Sequence, residues 1–291
     1  KISVGAPYFE TVFAPLMAPV VFLMGVGPAA RWRDAPLPEL ATRLRWAAGV
    51  AVVAGVAGSL WAAGGWRAAT LPSTLSLVMA AWVVATVAAD PRRQTGRDAA
   101  GRWRRPPRGW IGMSLAHLGV AAFIVGVTVV KTHETERDVR MAVGDKTTVG
   151  SLHFTLRGLR EIEGPNFRAT QGWVEVTEEV GGTQRKRADL LPEKRVYRVQ
   201  RNPMTEAAVH ARLQGDWYVS LGEPLPDGAW TVRVYVKPMV GWIWGGCLLM
   251  ALGGAVAASD RRYRVTGHAD ALRAEPAAEP TAEPLPARVP A

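Results

Sequence analysis

The chain has a single cysteine, Cys247, so no disulfide can form within it and its parts must hold together by packing alone. A small buried hydrophobe is the simplest role for that residue. The sequence also lacks a phosphate-cradling glycine loop, a Cys/His cluster with zinc spacing and a defensible Ser/His/Asp arrangement, so hydrolase chemistry is not indicated. No positively charged signal pattern precedes the first apolar run, and the chain begins with Lys1 rather than Met, which reads as a chain missing its front end. Its long apolar runs contain no Asp or Glu, which argues against a proton-coupled transporter, whose spans need carboxylates.

What is present is apolar length. With 291 residues, 48% of them hydrophobic, the sequence predicts a polytopic α-helical membrane protein with an inserted all-β domain. Five spans are expected at about 12–30, 46–63, 72–89, 110–130 and 240–258. The net charge of +10 raises the question of nucleic acid. Arginine, however, clusters beside span ends, at Arg31 to Arg45 and Arg92 to Arg108, with no nucleic-acid motif around it. The charge therefore reads as topogenic, with no nucleic-acid partner. Positive charge marks the cytoplasmic side, which places residues 131–237 on the outer, periplasmic face and the C-terminus in the cytoplasm. Trp46, Trp61, Trp66, Trp110, Trp242 and Trp244 fall at span ends, where amphipathic indoles sit at the membrane interface.

Residues 131–237 follow a different pattern. Short alternating runs, from Val139–Val143 and Leu152–Leu156 to Trp217–Leu221 and Trp230–Val236, are separated by turn signals such as Gly164-Pro165-Asn166, Gly181-Gly182 and Pro226-Asp227-Gly228. This predicts a compact antiparallel β domain. Thr205–His210 reads as one strand within it. The hairpin from Glu178 to Arg187 reads as decoration, and the Ala-Glu-Pro repeats of the 259–291 tail as disordered chain.

The stretch with chemical content is 110–130, which carries one ionisable residue, His117. A polar side chain in hydrocarbon costs a few kcal/mol unless something there uses it, about 2.5–3.5 kcal/mol for a charge on insertion scales. On a helix His117 shares its face with Met113, Ser114 and Ala121, while Gly112, Gly119 and Gly126 recur on another side that can pack closely against a neighbour. At roughly 1.5 Å per residue His117 lies about 10 Å below the cytoplasmic surface. Two readings stand side by side: a metal or haem ligand, and an imidazole hydrogen-bonded to a neighbour such as the Ser114 hydroxyl. The other histidines read more plainly. His153 and His210 belong to strands, His268 to the tail, and His133 to the outer end of the fourth span.

Several stretches carry a family resemblance: Ser3 to Phe9, Leu115-Ala116-His117-Leu118-Gly119, Glu136 to Met141, Gly164 to Phe167, Met204 to Ala208, Leu221-Gly222-Glu223, Gly228 to Pro238, and Asp260 to Arg264. In this order they resemble the C-terminal portion of the CcmF family, the membrane subunit of the bacterial haem lyase that matures c-type cytochromes. The resemblance implies a b-type haem held in the membrane between two histidines on different helices, with His117 in the place of the second. It also implies haem received from a periplasmic haem chaperone, quinol as electron donor, and thioether attachment to an apocytochrome c alongside other haem lyase subunits. It implies the bacterial cell inner membrane as location.

The sequence departs from the family pattern in lacking the N-terminal half. The Trp-rich haem-handling loop, the first membrane histidine and both outer histidines have no match here. The expectation is that the chain alone supplies one axial ligand and is inactive as a lyase. The alternative is a membrane scaffold with a β docking module and no cofactor.

Overall fold

The computed structural model describes residues 5, 8–30, 36–62, 70–89, 106–199 and 201–260. The arginine clusters at 31–33 and 92–105, the 64–67 connection with Trp66, most of the Ser3–Phe9 stretch and the tail from Arg261 on, with His268, lie outside these residues.

Among the described residues, five helical segments are long and apolar enough to cross a membrane, the first of them Thr11–Ala29 when the turns on either side of its α-helix are included. Their α-helices are α1 (Ala14–Val26), α2 (Leu37–Ala62), α3 (Leu71–Ala89), α4 (Arg108–His133) and α5 (Val240–Ala258). A π-helical turn, Phe9–Phe13, precedes α1, and a 3-10 turn, Gly27–Ala29, follows it. Helices suit these sequences because hydrocarbon offers no hydrogen-bond partner and a helix satisfies its backbone internally. Pro15 sits in the first turn of α1, where an N–H is dispensable, whereas Pro19 lies inside the helix. The start of α3 is capped reciprocally: the Thr70 hydroxyl accepts the Ser73 N–H (3.4 Å) and the Ser73 hydroxyl accepts the Thr70 N–H (3.3 Å).

Helix α4 is the hub. Its glycine side faces α5, running antiparallel, so closely that a Cβ on Gly119 would stand 2.7 Å from Gly246 O and Met250 N. Gly112 meets Gly253 and Ala257 in the same way, and Gly126 meets Trp242 and Ile243. Its Ala121, Ile124 and Val125 pack with Ala80, Trp82 and Val83 of α3. Helix α2 joins α3 where Gly55 admits the Val78 backbone and the Ser59 and Thr74 hydroxyls meet at 2.8 Å. Close approach of small residues is what holds helices together where lipid is as apolar as leucine.

Between α4 and α5 the chain forms a β-sandwich of ten antiparallel strands. One sheet has the order β1-β10-β9-β8 and the other β2-β3-β4-β6-β7, with β5 pairing β4. The strands of the first sheet are β1 (Thr135–Met141), β8 (Ala208–His210), β9 (Gly215–Pro224) and β10 (Trp230–Pro238). Those of the second are β2 (Lys146–Val149), β3 (Leu152–Glu163), β4 (Phe167–Val180), β5 (Thr183–Leu190), β6 (Glu193–Tyr197) and β7 (Pro203–Glu206). Alternation places Phe154, Leu156, Val174, Val176, Val219, Leu221, Val232 and Val234 in the space between the sheets, all fully buried. Two details differ from the sequence reading. The Thr205–His210 run is two strands, because the chain crosses from one sheet to the other at Ala207. The Glu178–Arg187 hairpin, turning at Gly181 and Gly182 with positive φ, is part of the main sheet, since β5 delivers Leu190 to the core. Helix α4 runs into β1 at Glu134, and β10 runs into α5 at Met239, a non-glycine residue in the left-handed region (φ 57°).

Candidate functional site

His117 lies on the side of α4 that faces neither α5 nor the core contact with α3, and it points toward α1. Its Nδ1 is 2.8 Å from Met113 O, one turn back on its own helix, and its Nε2 is 3.2 Å from Met24 O of α1. Both partners are carbonyls and can only accept. A neutral imidazole has one N–H, so it satisfies one of them and turns a lone pair toward the other. Only the cation would donate to both, and a charge in hydrocarbon is costly.

The Met24 carbonyl is available for a structural reason that the sequence contains. Its helical partner would be the N–H four residues on, but that residue is Pro28, which has none. The N–H of Gly27 already bonds to Leu23 O. Helix α1 is held in place for this contact by α3: Trp82 Nε1 donates to Phe22 O (2.9 Å), the Trp82 and Phe22 rings stack at 5.4 Å, and Gly25 leaves room for the indole.

Trp110, Ser114 and His117 fall on one strip of α4 by helical spacing. The Trp110 Nε1 and Ser114 Oγ atoms are buried without a hydrogen-bond partner among the described residues. Orphaned buried polar atoms each cost about 1–3 kcal/mol, so this strip has unused hydrogen-bonding capacity beside the imidazole. Ser114 is therefore not the partner of His117. The imidazole is engaged by two carbonyls instead, and the Ser114 partner named in the alternative reading does not form.

The ends of α4 are pinned, which fixes the height of His117. At its start the buried carboxylate of Asp260, just past α5, accepts the Gly109 N–H (2.8 Å) and completes the helix N-terminus from another element. At its end His133 Nε2 is 2.5 Å from Ala62 O, the last carbonyl of α2, and Nδ1 is 2.7 Å from the Thr132 hydroxyl. His133 is thus occupied in joining two helix ends. His153 is mostly covered, with Nδ1 2.9 Å from Thr148 Oγ1 and Nε2 3.9 Å from Glu179. His210 stacks near the Trp217 ring at 5.2 Å. No group of three or more His, Cys, Asp or Glu residues placed to hold a metal ion occurs among the described residues. An Nδ1–H donated to Met113 O would fix the tautomer and turn the Nε2 lone pair toward Met24 O, so that Nε2 would be the atom able to ligate a metal if that carbonyl moved aside.

On the sandwich, a groove in the outer face of the larger sheet is lined by Gly158, Arg160, Trp173 and Leu191. Arg160 is bound there to Gln171 Oε1 at 2.7 Å, and Trp173 Nε1 donates to Asp189 at 2.9 Å. The sequence reading singled out none of these residues, because an exposed Trp and Arg in alternating strands look like ordinary outward positions.

Comparison with known proteins bears on both parts. Residues 132–238 match the family described as CcmF C-terminal beta-sandwich. The cytochrome c-type biogenesis protein CcmF of Pseudomonas aeruginosa is 43% identical over 267 residues, 91% of this chain and 39% of that protein. The CcmF of Escherichia coli K12 is 37% identical, again over 91% of this chain and 39% of its own length. A solved structure titled Cytochrome c Heme Lyase CcmF shares the fold with a TM-score of 0.66 and 22% identity, over 87% of this chain and 40% of that one. The chain thus spans about two-fifths of the length of the curated relatives it matches. Over nine-tenths of its length the chain is similar to part of CcmF family members, and its β-sandwich to the one that closes their C-terminal portion.

Proposed function

We propose that this chain is the C-terminal part of a haem-binding membrane subunit in cytochrome c maturation, with His117 as one axial ligand of a membrane b-type haem. The names of its relatives, biogenesis protein and heme lyase, support the setting. The observation that carries the reading is the position of His117. It is the one ionisable side chain inside its apolar span, with Nδ1 against Met113 O and Nε2 facing α1, 3.2 Å from Met24 O, a carbonyl that an incoming iron would have to displace. A neutral imidazole so oriented is a ligand for haem iron, and a haem in a helix bundle takes its second axial His from a facing helix. That second ligand comes from outside this chain.

Bound haem supplies one-electron redox chemistry, with quinol as the electron donor. The residues of this chain hold the ligand: Met113 O sets the tautomer, and Asp260 and His133 fix the axial position of α4. The β-sandwich, residues 131–237, stands on the periplasmic side of the bacterial inner membrane as the docking platform. Its partners are the periplasmic haem chaperone, other haem lyase subunits and apocytochrome c, while the C-terminus is cytoplasmic. By itself the chain has half a ligand set and no lyase activity.

The test is optical. The full-length protein, purified with and without His117→Ala, is expected to lose its reduced b-type haem band on substitution, and a band of undiminished intensity would remove the ligand role. A reporter fused after Asp145 should be active only in the periplasm; cytoplasmic activity would invert the topology.

A second reading rests on Pro28. Because it leaves Met24 O without a backbone donor, an Nε2–H on His117 would fill that vacancy and tie α1 to α4 as a scaffold without cofactor. Under this reading His117→Ala leaves the haem spectrum intact and loosens α1, which cysteine cross-linking between α1 and α4 would detect.

A further inference from the structure

We propose that the loop between β8 and β9, residues 211–214, is a second membrane contact of the sandwich. Leu213 enters the headgroup–acyl boundary, and Arg212 pairs with lipid phosphate. A lone exposed leucine would mean nothing, since much of any protein surface is apolar. The difference lies in where this one is held.

The loop is fastened to the first turn of α5. The Met239 N–H donates to Gln214 O (3.1 Å), and Gly215 (φ 146°) lies so close to the other strand that a Cβ there would be 2.6 Å from the Pro238 Cα. A Cβ on Gly241 would be 3.8 Å from Arg212 O. The apolar span begins at Val240, so a loop seated on Met239 and Gly241 stands at the level where α5 leaves hydrocarbon. Trp242, in the same turn, is 45% exposed, as an indole at that boundary should be. Leu213 is 82% exposed, among the most exposed large apolar side chains of the molecule. It projects from a backbone with no freedom to bury it elsewhere.

Arg212 adds the polar half. Its backbone N–H donates to Asp216 Oδ1 (3.2 Å), which closes the turn. Its guanidinium lies over the Trp217 ring at 4.5 Å and reaches Gln214 Oε1 at 3.4 Å, with no carboxylate paired to it among the described residues. A guanidinium placed over an indole is weakly hydrated and presents a fork suited to phosphate. An apolar residue beside a cation at a fixed interfacial height is the pattern of a membrane-surface contact.

The test uses the protein in nanodiscs of mixed phosphatidylcholine and phosphatidylglycerol, in a Cys247→Ala background. An environment-sensitive fluorophore is placed at Leu213→Cys or at Val143→Cys, the latter beyond the end of β1 farthest from α4. The label at 213 is expected to emit at shorter wavelength, to be quenched by shallow nitroxide lipids and to be shielded from aqueous iodide, with the reverse at 143. Equal iodide quenching at both positions would overturn the proposal. Adding Arg212→Gln should raise iodide quenching at 213, and no change would remove the phosphate contact. Hydroxyl-radical footprinting of the unsubstituted protein gives the same answer without a label: Leu213 protected and Val143 oxidised supports the contact, while equal oxidation refutes it.

Discussion

The bundle and the sandwich bury their apolar residues in opposite ways. In the sandwich, apolar side chains close on one another, and Phe154, Leu156, Val176 and Val234 are fully buried between two sheets. In the bundle Leu16 is 65% exposed, Trp61 87% and Leu71 82%, and the buried cluster is mostly alanine with Trp82 and Val83. Large side chains face outward there because lipid accepts them, while glycine and alanine occupy the contacts because nothing but close packing and hydrogen bonding holds helices together. Residues of the same hydropathy therefore mean core in one half and surface in the other.

Four substitutions and one control sharpen this contrast. Phe154→Ala should have the largest effect, about 3–5 kcal/mol, because it empties a site with no exposure in a core that cannot collapse freely. It should appear as a lower denaturant midpoint for proteolysis of the β domain, with the helices still inserted. Gly119→Leu tests the other rule. Adding side-chain bulk where the α5 backbone stands 2.7 Å away should cost about 1–3 kcal/mol and weaken cross-linking between α4 and α5, whereas Gly245→Leu, which meets open space, should not. If Gly119→Leu were harmless, general apolarity rather than close approach would hold the bundle. Asp260→Ala should cost about 1 kcal/mol by uncapping α4, read as faster hydrogen exchange at Gly109 and Trp110.

The smallest effect is expected at Asp138→Asn. The Arg233 guanidinium bonded to Asp138 holds its carboxyl below the ordinary value of 3.8. A lowered folded-state value means the pair stabilises the sandwich above pH 3.8, and that this contribution disappears as the pH falls through the lowered value. Both side chains are nearly half exposed, so solvent screens most of the interaction. The substitution should shift the sandwich's midpoint slightly at pH 7 and not at all at strongly acidic pH, as pH-dependent denaturation would show.

Much of this was legible in the sequence because both halves obey simple periodicities. The Gly112, Gly119 and Gly126 spacing marked the tight face of α4, and the alternation in Trp230–Val236 marked β10. Strand β2 at Lys146–Val149 was hidden because its sequence reads as turn and solvent, and the charged β5 was legible only as the return limb of a decorative hairpin, not as a strand that delivers Leu190 to the core. For His117, the sequence revealed that the imidazole needed a partner but not which one. The clue was non-local: Pro28 frees the Met24 carbonyl, and only the fold brings that carbonyl ninety-three residues along the chain to the ring. Asp260, accepting a backbone N–H from a residue 151 positions earlier, was invisible for the same reason.

The glycine seam also governs how the sandwich can move. A strict seven-residue repeat stays in register only if two helices wind gently around each other with left-handed twist, and here the wound pair consists of the two segments by which the chain leaves and re-enters the bundle. A domain carried on two separate tethers could swivel on them. Two tethers pressed together along a glycine seam leave it fewer ways to turn than two separate ones would.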